Sequence, residues 1–162
     1  MMAAEEQNGR GHHMQRKERK TAIPDESMVR LLIERAEKTL PRAYAPYSRF
    51  HVAAALLCRD GSIYTGCNIE NASYPAGICA ERTAVFKAVS EGRRDFSCIV
   101  VMGGKEGKVE EYCPPCGICR QVLREFADPA GFCVILAKNR EDYRIFSLEE
   151  LLPESFGPAT LC

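Results

Sequence analysis

The sequence predicts an α/β fold, a three-layer α-β-α sandwich in which helices cover both faces of a mixed central sheet. Two short, continuous apolar runs, residues 97–102 and 132–136, each follow a predicted helix, and central strands buried on both faces have this pattern. Residues 50–57 and 63–68 form a predicted hairpin around an Asp-Gly turn. Helices that alternate with such strands favour a sheet between two helical layers.

Each further element has its own local signal. Residues 25–40 place apolar side chains at helical spacing, with Asp25 or Ser27 as the N-cap and Pro41 as the stop. Proline or glycine precedes the two later long helices, and Ser147 can cap a short helix near the end. In chain order, we predict a helix at 25–40, a loop at 44–48, strands at 50–57 and 63–68, a helix at 80–91, a strand at 97–102, a helix at 117–127, strands at 132–136 and 143–146, and a helix at 147–152.

The length of 162 residues suits one domain with its own core. Residues 1–24 are polar and lack helical or strand periodicity, so we predict a disordered tail in front of a single domain at 25–162. Basic residues cluster at 16–20, and a solvated tail is favoured there over a targeting or nucleic-acid-binding role.

The charge of the chain is balanced, with 22 Lys and Arg residues against 22 Asp and Glu residues. No overall positive field attracts nucleic acid, so a small ligand is expected instead. No apolar run approaches the roughly 20 residues that cross a bilayer, and no membrane association is expected. The nine cysteines, an odd number without a visible signal peptide, favour free thiols in a reducing compartment. We therefore expect a cytoplasmic location, with access to the nucleus left open.

Three cysteines form a predicted metal site. Cys79 precedes the helix at 80–91, while Cys116 and Cys119 lie on one face at the start of the helix at 117–127. Helix N-termini lower the pKa of a thiol and favour the thiolate that binds metal. Sulfur ligands suit zinc, and a site with three protein ligands leaves the fourth position for water.

Two other interpretations of the cysteines compete with this one. Cys113 precedes Cys116 at C-x-x-C spacing and would close a structural site with four sulfurs. The two prolines that follow favour Cys113 as a strand-end residue, and the fourth-ligand alternative stays open. The cysteine run also has part of an iron-sulfur pattern, but Leu123 stands where the next cysteine belongs.

Charged residues flank the predicted ligands. Glu81 lies two residues after Cys79, where it is free to face the open position and to carry protons to and from water. Arg82 and Arg120 each adjoin a ligand, and they are the candidate cations that offset the negative charge of three thiolates.

Asn68 and Glu70 are candidate sugar-binding residues. They stand two positions apart at the end of a predicted strand, so their side chains point the same way and can grip adjacent hydroxyl groups. The alternative is that both side chains only satisfy local backbone groups where the strand becomes a loop.

Together these motifs resemble those of the short, zinc-dependent cytidine deaminases that act on free nucleosides, close to the animal form. Cys-Ala-Glu followed by Pro-Cys-Gly-Ile-Cys has the form of the zinc deaminase signature. The likeness extends from the first helix to the C-terminus, whereas the tail up to Thr21 has no counterpart in the family. Within the matching part, Cys113 and Pro114 depart from the family pattern. The matching segments are 44–50 (YAPYSRF), 66–71 (GCNIEN), 77–84 (GICAERTA), 115–121 (PCGICRQ) and 151–158 (LLPESFGP).

The resemblance implies a cytidine deaminase-like form of the predicted fold and a homotetramer whose sites borrow residues from neighbouring subunits. It also implies one zinc ion per subunit. The residues implied for the site are Cys79, Cys116 and Cys119 on zinc, Glu81 as the catalytic residue, Arg82 offsetting the thiolate charge, Phe50 against the base, Asn68 and Glu70 on the ribose hydroxyls, Ala72 and Ala80 at the substrate, and Tyr74 and Phe156 as the borrowed residues.

The implied reaction is the hydrolytic deamination of free cytidine and deoxycytidine to uridine and deoxyuridine, with release of ammonia, in pyrimidine salvage. Zinc-activated hydroxide attacks carbon 4 of cytosine while Glu81 shuttles protons. One alternative is a cytosine deaminase of polynucleotides, which the balanced charge disfavours. The other is a structural zinc-binding module that serves protein interactions.

Overall fold

A computed structural model describes residues 23–161 of the chain. The predicted tail at 1–24 lies outside these residues except for its last two positions. The helices are α1 (Glu26–Thr39), α2 (Ala80–Ser90), α3 (Gly117–Phe126), α4 (Leu148–Leu151) and α5 (Pro158–Leu161), with 3-10 turns at Leu40–Arg42 and Tyr74–Ala76. The strands are β1 (Phe50–Cys58), β2 (Ile63–Cys67), β3 (Phe96–Lys105), β4 (Cys133–Ala137) and β5 (Tyr143–Ser147).

The five strands form one mixed sheet in the order β2-β1-β3-β4-β5. Strand β1 is antiparallel to β2 and β3, β3 is parallel to β4, and β5 is antiparallel to β4. Helix α3 lies in the connection between β3 and β4, as the crossover between parallel strands requires. The predicted hairpin, the two central strands and the edge strand are confirmed.

Helices cover both faces of the sheet, so the three-layer α-β-α sandwich is also confirmed. Helix α1 packs its buried stripe against one face, and α2 and α3 pack against the other. Leu32 and Ile33 of α1 are fully buried, and each stabilises the fold by about 1.5–3 kcal/mol relative to an exposed side chain. In the part of the chain that is described, no helix combines the length and the apolar character needed to span a membrane.

The helices differ in how their first N–H groups are satisfied. Asp25 caps α1 by accepting from an N–H of the first turn at 2.9 Å, and Ser147 caps α4 in a capping box with Glu150. Helices α2 and α3 begin after Cys79 and Cys116 without a side-chain cap. Their first N–H groups therefore remain available to stabilise negative charge at these two cysteines.

Strand β3 runs to Lys105, beyond the predicted end at 102. Gly103 and Gly104 end the apolar run in the sequence, but both stay paired with β1. A Cβ on Gly103 would lie 2.7 Å from the His51 carbonyl oxygen, and a Cβ on Gly104 would overlap the Lys108 carbonyl group. These glycines permit a close backbone approach within the strand and do not terminate it.

Gly66 on β2 sets the distance between this strand and α2. A Cβ at this position would collide with the Ala80 carbonyl oxygen and with the Ala84 backbone nitrogen. The first turn of α2, which follows Cys79, therefore rests directly on the strand. The absence of a side chain at Gly66 fixes where this helix begins relative to the sheet.

We expect Gly66→Ala to lower the free energy of unfolding by about 1–3 kcal/mol, because the added methyl group forces α2 away from β2. Urea unfolding followed by circular dichroism measures the change. Gly117→Ala is the matched control, since a Cβ there has no neighbour within 4 Å, and its effect should stay within about 0.5 kcal/mol. Equal stability of Gly66→Ala and the wild type would contradict the close packing.

Candidate active site

Three sulfur atoms meet where α2 and α3 begin. Cys79 is the N-cap residue of α2, Cys116 is the N-cap residue of α3, and Cys119 lies in the first turn of α3. Cys116 Sγ lies 3.9 Å from Cys79 Sγ and 3.5 Å from Cys119 Sγ, and all three sulfurs are within 4.8 Å of one another. The structure thus brings together the three predicted metal ligands.

The spacing of the sulfur atoms fits a zinc ion. Tetrahedral zinc with Zn–S bonds of about 2.3 Å requires sulfur atoms about 3.8 Å apart, close to the two measured distances. No fourth Cys, His, Asp or Glu among residues 23–161 joins the group, and Cys113 is therefore outside it. Three ligands are typical of a catalytic zinc site, whereas a structural site has four.

The surroundings of Cys79 favour a thiolate. A hydrogen bond from the Cys119 thiol, and the Arg82 guanidinium 3.5 Å away, lower the pKa of Cys79 to about 5. The same hydrogen bond and burial raise the pKa of Cys119. Arg82 Nε is buried and has no hydrogen-bond partner within the described residues. More negative charge at the sulfurs would offset the cost of that buried donor.

The Arg120 guanidinium, the other predicted compensating cation, is bonded to backbone carbonyls and, among the described residues, not to a sulfur of the cluster. Its guanidinium donates to the carbonyl oxygens of Pro115 and Leu151, each at 2.7 Å. These bonds brace the loop that precedes Cys116. Arg82 is the guanidinium that hydrogen-bonds a sulfur of the cluster.

Glu81 is a buried carboxyl group, with 3% of its surface exposed. Burial, and then the negative charge at Cys79, raise its pKa above the ordinary value. It lines the same cavity as Cys79 and Cys116. A carboxyl group with a raised pKa is a stronger base than an exposed one, which suits a group that accepts and returns protons.

A cavity of about 600 Å³ adjoins the sulfur cluster. Its volume lies within the range of small-molecule sites. The lining residues come from the loop before β1, β1 itself, the segment between β2 and α2, the start of α2 and the loop before α3: Tyr47, Ser48, Val52, Asn68, Ile69, Glu70, Asn71, Tyr74, Gly77, Ile78, Cys79, Ala80, Glu81, Arg82, Cys113, Pro114 and Cys116.

Asn68 and Glu70 line the cavity and also bond to backbone groups. The Asn68 side chain accepts from one N–H of β1 and donates to one carbonyl of β1, both at 2.8 Å. Glu70 Oε2 accepts from the N–H groups of Tyr47 at 2.9 Å and Ser48 at 3.2 Å, and Oε1 accepts from the Ser48 hydroxyl. These bonds lower the pKa of Glu70, the Ser48 hydroxyl most of all. The side chains therefore satisfy local backbone groups while they face the cavity.

The other predicted substrate residues divide into two groups. Ala80 and Tyr74 line the cavity, and Tyr74 is 74% exposed at its rim. Ala72, Phe50 and Phe156 are not among the lining residues. Phe50 lies in a neighbouring cavity formed mainly by the end of β3 and the loop after it, and Phe156 is 57% exposed. The roles of all five residues at a substrate stay predictions.

Tyr47, Ser48 and Val52 are lining residues that the sequence reasoning missed. They lie within or next to the segment 44–50, which matched the family but was assigned only Phe50 as a contact. Tyr47 packs against Tyr74 with ring centroids 6.0 Å apart. The turn before β1 brings Tyr47 and Ser48 to the cavity, and Val52 reaches it from β1 itself. No local pattern indicates these contacts.

Comparison with known proteins identifies the family. The family model described as the cytidine and deoxycytidylate deaminase zinc-binding region matches residues 26–135. A cytidine deaminase from Sporosarcina psychrophila is 46% identical over 82% of this chain and 94% of its own length. A cytidine deaminase from Halalkalibacterium halodurans is 50% identical over 78% of this chain and 92% of its own length. Both agree with the predicted resemblance.

The fold agrees with that of solved structures from the same family. A crystal structure of cytidine deaminase from Burkholderia pseudomallei superposes with a TM-score of 0.70 at 45% identity, and the match covers 78% of this chain and 97% of that one. The chain carries the family's zinc-binding region, and its three clustered cysteines can hold the metal. The chain therefore belongs to the cytidine and deoxycytidylate deaminase family, as an α/β enzyme with a zinc-binding site.

Proposed function

We propose that this chain catalyses the hydrolytic deamination of free cytidine and deoxycytidine to uridine and deoxyuridine, with release of ammonia. One observation carries the proposal: a buried carboxyl group, two candidate sugar-binding residues and two cysteines of the three-sulfur cluster line one cavity. Such an activity would serve pyrimidine salvage in the cytoplasm. Loss of the ultraviolet absorbance of cytidine on incubation with the zinc-loaded protein tests it directly.

In this proposal Cys79, Cys116 and Cys119 hold zinc, which supplies a Lewis acid that activates water at neutral pH. Glu81 accepts a proton from the attacking water and delivers it to ring nitrogen 3. The oxygen of that water bonds to carbon 4 of the base. Glu81 then takes the proton of the new hydroxyl group on carbon 4 and delivers it to the amino group on the same carbon. The carbon–nitrogen bond breaks, ammonia leaves, and carbon 4 keeps its oxygen as a carbonyl. Burial supports this role because it makes Glu81 a stronger base.

Asn68 and Glu70 keep enough hydrogen-bonding capacity to bind ribose. A carboxylate has about four acceptor sites, and Glu70 uses three of them on Tyr47 and Ser48. Asn68 keeps one N–H and one lone pair beyond its two bonds to β1. A hydroxyl group can donate to the free position of Glu70. We propose that Ala80, together with Phe50 and Ala72, completes the nucleoside contacts.

The charges around the cavity support a free nucleoside over a polynucleotide. Two acidic side chains, Glu70 and Glu81, line it, and a phosphate group would meet unfavourable negative potential there. The net charge of zero supplies no general attraction to nucleic acid. A structural zinc module is less well supported, since it would use a fourth ligand.

We propose further that the protein is a homotetramer in which Tyr74 and Phe156 reach into the sites of neighbouring subunits. Both rings are mainly exposed, and large exposed aromatic side chains near a binding site favour contact with a partner surface. The segment that carries Phe156 is held on α3, because Gln121 donates to the Phe156 carbonyl at 3.3 Å and Arg124 donates to the Ser155 hydroxyl at 3.2 Å.

Glu81→Gln should lower kcat by about 10²- to 10⁴-fold, because the amide cannot carry the protons. The variant should retain its zinc, which elemental analysis measures, and should still bind cytidine. Glu125→Gln, the same change on an exposed position of α3, serves as the control and should keep wild-type turnover. Full activity of Glu81→Gln would exclude the proposed proton transfers.

Glu70→Gln should reduce kcat/KM for cytidine by about tenfold, the effect of losing one hydrogen bond to a charged group. The same variant should act on 2′,3′-dideoxycytidine almost as well as the wild type does, because this substrate lacks the hydroxyl that Glu70 would bind. Steady-state kinetics with both substrates make the comparison. An equal loss on both would mean that Glu70 only braces the loop before β1.

Co-expression of Glu81→Gln and Phe156→Ala tests whether sites are shared. Each variant alone should have low activity, whereas mixed oligomers should recover part of it, since some sites then combine an intact Glu81 with an intact Phe156 from a neighbour. Activity per subunit and mass by light scattering are the measurements. A monomer, or no recovery in mixed oligomers, would rule out the borrowed Phe156.

A further inference from the structure

Tyr112 is held at the tip of the β4-β5 hairpin by three charged side chains. Its hydroxyl donates to Asp142 Oδ1. Lys138 Nζ lies 4.8 Å and the Arg144 guanidinium carbon 4.2 Å from the centre of the Tyr112 ring, within the range of cation–π attraction. Asp142, Lys138 and Arg144 are called the Tyr112 clamp below.

The hairpin that carries the clamp is itself well braced. Lys138 Nζ and Asp142 Oδ2 form an ion pair at 2.9 Å, and the Lys138 N–H donates to the Asp142 carbonyl at 2.9 Å. Asn139 Oδ1 accepts from the N–H groups of Glu141 and Asp142. The clamp is therefore a fixed point of the fold for the segment that contains Tyr112.

Only three residues separate Tyr112 from Cys116, and two of them are prolines. Proline fixes its own φ and restricts the residue before it, so the position of Tyr112 largely determines that of Cys113. Arg120 holds the other end of this link through the Pro115 carbonyl at 2.7 Å. The segment is thus anchored on both sides.

Cys113 lies beside the same cavity as the predicted metal site. Its side chain lines the same cavity as Cys79 and Glu81, yet its sulfur is outside the group that can hold a metal. Its C-x-x-C spacing to Cys116 is one that places two cysteines on a single zinc ion in many structural sites. The spacing therefore does not by itself prevent the Cys113 thiol from binding the metal. The position of the Cys113 backbone must prevent it.

We propose that the Tyr112 clamp holds Cys113 away from the metal and so keeps the fourth coordination position open for water. In this proposal Tyr112 is a positioning residue, because it acts by fixing the location of Cys113. Without the clamp, Cys113 can approach the cluster and convert an open site with three sulfurs into a closed one with four. The inference rests on the proposed assignment of Cys79, Cys116 and Cys119 as zinc ligands.

Replacing zinc by cobalt measures the number of sulfur ligands independently of the enzyme's activity. Co²⁺ replaces Zn²⁺ in tetrahedral sites, and its sulfur-to-metal absorption grows with the number of bound thiolates. The test compares the Co²⁺ spectra and the kcat of zinc-loaded wild type, Tyr112→Ala, Cys113→Ser and the double variant. Tyr112→Phe removes only the hydroxyl and should lie between wild type and Tyr112→Ala.

Tyr112→Ala should show a stronger sulfur-to-cobalt band than the wild type, and its zinc form should lose activity by about tenfold or more, the effect of roughly 1.4 kcal/mol or more. Adding Cys113→Ser should restore both the wild-type band and most of the activity. Cys113→Ser alone should match the wild type. Arg140→Gln is the control on the same hairpin, because Arg140 pairs with Glu37 on α1 and not with Tyr112.

Each of the remaining outcomes would contradict one specific claim. If the wild type already shows four sulfur ligands, the open site of the proposed function is wrong. If the wild type shows three and Tyr112→Ala also shows three, the clamp does not control Cys113. If Cys113→Ser fails to restore Tyr112→Ala, the tyrosine acts by another route. Should Tyr112→Ala not fold, Asp142→Ala, which removes the half-buried partner of the hydroxyl, takes its place with the same criteria.

Discussion

The meeting of two helix N-termini at one point is the constraint on which the rest of the site depends. Thiolates removed from water are costly unless positive charge or hydrogen-bond donors surround them. The starts of α2 and α3 provide donors, because neither helix has a side-chain cap. Each start places its N-cap cysteine at the cluster, so the sulfurs and the groups that stabilise their negative charge arrive together. The fold must therefore fix the positions of both helix starts.

Two different contacts fix these positions. Helix α2 is set by a contact with β2 so close that only glycine fits at position 66. Helix α3 is set by its loop, through the Arg120 bonds to Pro115 and Leu151. The two arginines next to the ligands thus have separate tasks: Arg82 balances charge at the sulfurs, and Arg120 holds the loop. A sequence pattern cannot distinguish these tasks, since each arginine lies within the first four residues of a helix that begins after a predicted ligand.

The features that could be predicted from the sequence are those that local residue patterns determine. Periodicity and turn residues located the long helices and the strands, and the cysteine spacing located the cluster, because helix starts determine where those side chains point. The extension of β3 through Gly103 and Gly104 was missed because glycine is read as a strand end, while here it permits pairing with β1. Tyr47, Ser48 and Val52 were missed because tertiary packing, not a local pattern, brings them to the cavity.

The loop before β1 shows why the same side chains can stabilise the fold and bind a ligand. Arg49 has a φ of 57°, which costs of order 1 kcal/mol or more for a residue other than glycine. Glu70 holds the two residues before it through their N–H groups, and Arg49 itself pairs with Glu106 at 2.5 Å. The loop is therefore ordered before any ligand arrives, so binding need not include the entropy of ordering it. On the proposed function, Glu70 meets the sugar with its orientation already fixed and with a single acceptor position left, which only a donating hydroxyl can use.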